Sequence, residues 1–148
     1  MPDKAATVLA LDFGLKRIGI ASGDTLTRSA RPRGAIGNGT GGPDWPALQR
    51  VLDDLRPERI VVGEPYNADG SVSTLTEHAR RFAADLKQRC ALPVDLVDER
   101  WSSQDAEERL RAARASGLRG RRVTAADVDA TAAAVILERW FESKLTTQ

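Results

Sequence analysis

The sequence predicts a single α/β domain: a mixed, five-stranded sheet, antiparallel at one side and parallel through the middle, flanked by helices. Three observations carry this. Two strand-like runs, residues 7–13 (TVLALDF) and 17–23 (RIGIASG), are separated only by Gly14, Leu15 and Lys16, a spacing that makes a hairpin. From residue 43 onward helical and strand patterns alternate, which implies parallel strands joined by right-handed crossovers. The 148 residues suit one domain, 1–148, and contain neither an internal repeat nor a second linker.

The elements follow in order. A third, weaker strand is expected near residues 33–36, and the GNGTGG stretch at 37–42 reads as a flexible joint. That stretch lacks the Gly-Lys-Ser/Thr ending of a phosphate loop, and no strong strand precedes it. Trp45, Leu48, Leu52 and Leu55 recur at helical spacing, which predicts an amphipathic helix over 43–55. Residues 59–63 (RIVVG) form a short buried strand closed by Glu64-Pro65. Leu75, Ala79, Phe82, Ala83 and Leu86 mark a second helix, with Thr74 and Glu77 spaced as a capping box. A strand over 93–97 ends in Asp98-Glu99-Arg100. Ser102 and Asp105 open a helix to about 115, residues 116–123 break the pattern, and a last helix spans about 125–143.

Composition excludes several classes. The chain is 41% hydrophobic and 29% charged, as a soluble domain is, and a lone Cys90 rules out an internal disulfide framework or a cysteine zinc site. No apolar run approaches the ~20 residues of a membrane span, and the first residues lack a signal-peptide pattern, so a cytoplasmic protein without membrane partners is expected. Net charge is only +1, but its distribution is uneven: six arginines fall between Arg109 and Arg122 with no acid among them, and Arg28, Arg31 and Arg33 form a smaller set. Such groups can attract phosphate locally. On charge alone, a solvated helix face running into a loop is the simpler reading. His78, on a helix, reads as a surface residue, and Trp45, Trp101 and Trp140 read as core anchors more readily than as stacking platforms.

Functional groups of open α/β sheets gather at the carboxyl ends of strands. Asp12, Glu64 and the pair Asp98-Glu99 stand at such ends. Carboxylates converging on one rim repel unless a cation neutralises them, and oxygen donors suit Mg²⁺ or Mn²⁺. On the last helix Asp129 shares a face with Ala132, Ala133, Ile136 and Trp140, the inward stripe, and so needs a metal or an arginine as partner. Asp127 lies on another face, three residues after Thr124, as the acid of a capping box. Each acid also has a plainer role open to it: Asp12 as a turn former before Gly14, Glu64 as a solvated residue, Asp98 or Glu99 as a partner for Arg100 or Arg17.

The string from Leu11 to Ala21 (LDFGLKRIGIA) resembles the opening motif of the YqgF (RuvX) family, a ribonuclease H-like group. The resemblance continues through Ile60-Val61-Val62-Gly63, Asn67-Ala68-Asp69-Gly70, Asp98-Glu99-Arg100 and Val128-Asp129-Ala130, in order along nearly the whole chain. It implies a ribonuclease H-like fold and a nuclease, either a processor of the 5′ end of pre-16S ribosomal RNA or a Holliday-junction-resolvase homologue acting on branched DNA. It also implies Asp12, Glu99 (favoured over Asp98) and Asp129 as catalytic metal ligands. Two Mg²⁺ or Mn²⁺ ions would be held, Asp12 bridging them, for in-line phosphodiester hydrolysis. One departure stands out: Gly63-Glu64-Pro65 replaces the family's usual Gly-Leu-Pro. Glu64 is therefore either an extra ligand, as at the equivalent strand end of related resolvases, or a surface variation.

Around this centre Lys16, Arg17 and Arg100, with Arg119, Arg121 and Arg122, are the candidate nucleic-acid contacts. For Lys16, ordinary strand-edge charge is an equal alternative. Either a monomer or a homodimer is compatible, a four-way junction favouring two-fold symmetry. Two other classes share some features. Actin-like and sugar-kinase ATPases open on a similar hairpin but need two such domains, and a non-catalytic nucleic-acid or transcription-linked factor would keep its function without Asp12 and Asp129.

Overall fold

The structure, a computed structural model, describes residues 6–67, 69–98, 108 and 124–146, with no side chain described beyond Lys144. Its strands are β1 (Thr7–Phe13), β2 (Arg17–Asp24), β3 (Ala30–Gly39), β4 (Gly42–Pro43), β5 (Arg59–Glu64) and β6 (Val94–Asp98). The helices are α1 (Trp45–Leu55), α2 (Thr74–Cys90) and α3 (Ala125–Thr146). One sheet runs in the order β4-β3-β2-β1-β5-β6. The β1–β2 and β2–β3 pairs are antiparallel, while β1–β5 and β5–β6 are parallel. The mixed sheet is as expected, with six strands instead of five.

The extra strand comes from the glycine stretch. Asn38 pairs with Pro43 and Gly39 with Gly42, so the expected joint is a tight hairpin. Gly42 makes the turn at φ +93°, where a side chain would be strained. Its first strand is tied inward: Asn38, 5% exposed, donates through Nδ2 to the Gly14 carbonyl at 2.5 Å, and its backbone N–H reaches the Lys16 carbonyl at 2.9 Å. The hairpin thereby braces the β1–β2 turn.

Helix boundaries follow their caps. Asp44 caps α1 by accepting from the Ala47 N–H at 3.1 Å. The α2 cap lies one residue earlier than expected: Ser73, with Thr76 as its reciprocal partner, replaces the Thr74–Glu77 pair. The buried Thr76 hydroxyl also donates to the Pro65 carbonyl. At α3 the expected pair holds, Asp127 accepting from the Thr124 N–H at 2.9 Å and donating its own N–H to Thr124 Oγ1 at 3.1 Å. Of the helix expected over 102–115, only Glu108 is among the described residues, and it is helical.

The sheet separates two cores. Leu9, Leu11, Ile18, Ile20, Ile60 and Val62 face α1 and α2. Val8, Ala10, Ala21 and Val61 face α3, where Ala133, Ile136, Leu137 and Trp140 meet them. Each leucine, isoleucine or valine among them, fully buried, contributes roughly 1.5–3 kcal/mol over its exposed state. The tryptophans behave as anchors: Trp45 stacks on Phe82 at 5.6 Å between ring centres, and Trp140 donates its indole N–H to Asp95 at 2.9 Å. Trp101 lies outside the described residues. No helix among the described residues is long and apolar enough to cross a membrane.

Candidate active site

Alternation along β1 puts Asp12 on the α3 face, in line with Val8 and Ala10. Its ladder partner is Gly19 of β2, which shares that face with Ala21. Opposed residues in such a pair have Cα atoms about 4.5–5.5 Å apart. Gly19 is where α3 touches the sheet. A methyl group built there would lie 2.0 Å from the Asp129 carbonyl oxygen and 3.0 Å from Asp129 Cβ. Only a residue without a side chain lets the first turns of α3 come down at this point. Asp129 is thus set beside Asp12, one ladder position away, although 117 residues separate them in the chain.

Arg17, two residues before Gly19, lies on the same face and donates through Nε to Asp129 Oδ2 at 2.6 Å. The pair is part-exposed, 40% for the arginine side chain and 26% for the aspartate. The partner that Asp129 requires is therefore an arginine in this structure. Lys16 sits in the exposed β1–β2 turn beside Asp12.

The other two strand-end acids share the rim but not the face. Glu64 follows the alternation of Ile60 and Val62 toward α2, where it accepts a hydrogen bond from Arg80 Nε. Arg80 also reaches the Tyr66 hydroxyl at 3.1 Å, and these contacts, Glu64 first, raise its pKa above the ordinary arginine value. Asp98 is the ladder partner of Glu64 and follows Val94 onto that same face. Among the described acids, strand alternation thus puts Asp12 on the α3 face with Asp129, and Glu64 and Asp98 on the α2 face. Glu99, Arg100, Arg119, Arg121 and Arg122 lie outside the described residues. Among the described residues no three acidic, histidine or cysteine side chains form a metal-binding group. His78 is exposed on α2, as expected.

Sequence reasoning assigned no role to Gly19, though it stands within the opening motif. The signal available was a glycine in mid-strand, which marks close approach of another backbone.

A hairpin continued by parallel strands, with one helix laying an aspartate beside the acid of the first strand, defines a ribonuclease H-like fold of the kind found in junction resolvases. Thermus thermophilus RuvC in complex with a Holliday junction substrate superposes with a TM-score of 0.56 at 18% identity, over 96% of this chain and 97% of that one. The yeast mitochondrial Holliday junction resolvase superposes at 0.50 and 12% identity, over 95% and 80%. The chain belongs to the RuvX family, described as Holliday junction resolvase, whose model matches residues 6–143. It is 46% identical to the "Putative pre-16S rRNA nuclease" of Xanthomonas campestris pv. campestris strain 8004 over 138 residues, 93% of this chain and 88% of that protein. The protein of the same name from Xanthomonas oryzae pv. oryzae strain PXO99A is 46% identical over 141 residues, 95% and 89% of the two chains.

Proposed function

We propose that this chain is a divalent-metal-dependent, cytoplasmic nuclease that processes the 5′ end of pre-16S ribosomal RNA. The observation that carries the reading is the seating of Asp129 over Gly19, opposite Asp12, on one face of the sheet. The donors fit the metal in kind: two carboxylates from different elements supply hard oxygen ligands, as Mg²⁺ and Mn²⁺ require. Asp12 and Asp129, with Glu99 as third ligand, would hold the metal, which when bound supplies a Lewis acid and a water of lowered pKa. Arg17 holds the Asp129 carboxylate through its Nε and, if that carboxylate were taken by a cation, would be placed to pair with phosphate oxygens. Lys16, on the turn beside Asp12, adds a second positive charge toward the strand. RNA is favoured over branched DNA by the naming of the relatives at 46% identity.

The test offers four-way DNA junctions and 5′-extended 16S precursor side by side, with Mg²⁺, Mn²⁺ or chelator. Cleavage of the precursor that needs metal, and that falls to the chelator level in Asp12→Asn and Asp129→Asn, is expected. Preferential junction cleavage would move the assignment to a resolvase, for which a two-fold dimer is the natural state. Metal-independent function retained in both variants would sink the catalytic reading and leave a binding factor.

A further inference from the structure

The arginines of residues 28–33 take no part in the site above, yet an irregularity in the β2–β3 ladder gathers two of them. Ser22 pairs with Arg31 and Ala21 with Pro32, but Ile20 pairs with Gly34, which leaves Arg33 as the extra residue of a bulge. Gly34 follows at φ +100°, in the region glycine occupies without strain. A bulge re-aims a side chain that regular alternation would have placed elsewhere. Here Arg33 is laid across Ser22, Nε donating to Ser22 Oγ at 2.7 Å. Arg31 stands directly opposite the same serine, which is only 4% exposed. With Ser29, Thr7 and Leu55 these residues line an open groove of about 260 Å³.

The groove carries unbalanced positive charge. Asp24 is the one carboxylate along it among the described residues, and its Oδ1 already accepts from the backbone N–H groups of Leu26 and Thr27 and from the Thr27 hydroxyl. Among the described residues neither Arg31 nor Arg33 belongs to an ion pair. Guanidinium forks beside two hydroxyls match a phosphate's oxygens in charge and geometry. No aromatic side chain among the described residues lines the groove, so none of them would stack on a base. Recognition would be of phosphate alone, independent of sequence.

We propose that Arg31 and Arg33, with Ser22 and Ser29, form a second, non-catalytic phosphate-binding subsite. Ser22 lies three residues along β2 from Gly19, about 10 Å at the usual strand rise. The two lie on opposite faces of the sheet, so a strand whose scissile phosphate lies at Asp12 would reach the subsite by passing the margin of the sheet. That choice of occupant, a backbone phosphate, rests on the nuclease reading, whereas the subsite itself does not.

The experiment measures binding of a short single-stranded RNA to the full chain in chelator, across a salt series. Arg31→Gln/Arg33→Gln is compared with Arg28→Gln/Arg50→Gln, which removes equal charge outside the groove, and thermal midpoints verify that both variants fold. Loss of two phosphate contacts should flatten the slope of log K against log salt by about 1.4 and weaken binding several-fold, at about 0.7 per contact for single strands. The control pair should change little. Equal effects in the two variants, or none in the first, overturn the subsite. Amide shifts at Ser22, Ser29 and Arg31 on adding inorganic phosphate, lost in Arg31→Gln/Arg33→Gln, assign a free phosphate as occupant. Shifts with RNA alone assign the strand, and shifts with neither overturn the subsite. Arg31- and Arg33-dependent binding in a chain that cleaves nothing would remove the nuclease reading and keep the subsite.

Discussion

Arg17 and Asp129 form a pair whose partner can be exchanged. A part-exposed ion pair is worth about 1 kcal/mol at most, so the guanidinium holds the carboxylate in place without locking it. On the proposed reading a divalent ion would compete with Arg17 for the same oxygens. Arg17→Gln should therefore bind Mn²⁺ more tightly, by up to about fivefold on that energy, while its affinity for RNA falls. Calorimetric titration with metal alone reads the first effect and fluorescence anisotropy the second. Unchanged metal affinity would mean that Asp129 does not contribute to a metal site. Glu64 makes the opposite case. Its carboxylate is engaged by Arg80 on the α2 face, so Glu64→Gln should leave metal affinity unchanged and cleavage within about threefold of the parent, a margin smaller than one strong hydrogen bond.

At the scale of elements, the site depends on how α3 starts and where it lands. The Thr124–Asp127 box sets the start, and Gly19 sets the landing. Thr124→Ala should cost about 1 kcal/mol of stability, the usual worth of an N-cap, as read by urea denaturation. Because Asp127 serves the cap and Asp129 is the proposed site residue, Asp127→Asn should lower stability with a smaller loss of cleavage than Asp129→Asn. Gly19→Ala acts differently, since its methyl group meets helix backbone that no rotamer change can move. A destabilisation of about 1–3 kcal/mol, typical of overpacking, is expected. Cleavage should be lost even at temperatures where the variant is folded, because α3 is pushed from the sheet and Asp129 moves with it. A stable, fully active Gly19→Ala would refute the close approach.

Across the whole molecule the sheet acts as a partition. One face carries α3, Arg17 and the Asp12–Asp129 corner; the other carries α1, α2, the Glu64–Arg80 pair and the Arg31–Arg33 groove. Substrate contacts on both faces would require a strand to pass the margin of the sheet rather than lie across one side of it. Protection of the RNA backbone should then extend beyond the nucleotides next to the cleaved bond, and it should shorten in Arg31→Gln/Arg33→Gln.

Much of this was legible in the amino-acid order. The first hairpin was visible because three residues cannot connect strands in any other way, and the inward face of Asp129 because helical periodicity sets it apart from Asp127. The capping role of Asp127 followed from its distance to Thr124. Other features have no local signature. Strand β5 is buried on both sides, so it lacks the alternation that would reveal which face Glu64 takes. The glycines of 37–42 read as a joint, since their pairing as β3 and β4 depends on Asn38 reaching a turn more than twenty residues away. The Arg33 bulge exists only relative to its partner strand. By itself the sequence determined the first hairpin, the helices α1, α2 and α3, strand β5, and which carboxylates stand at strand ends, because periodicity and turn chemistry are local. Only the tertiary structure decided which of those carboxylates share a face, because that depends on the sheet and on the bare position, Gly19, where the backbone of α3 comes down on the strand.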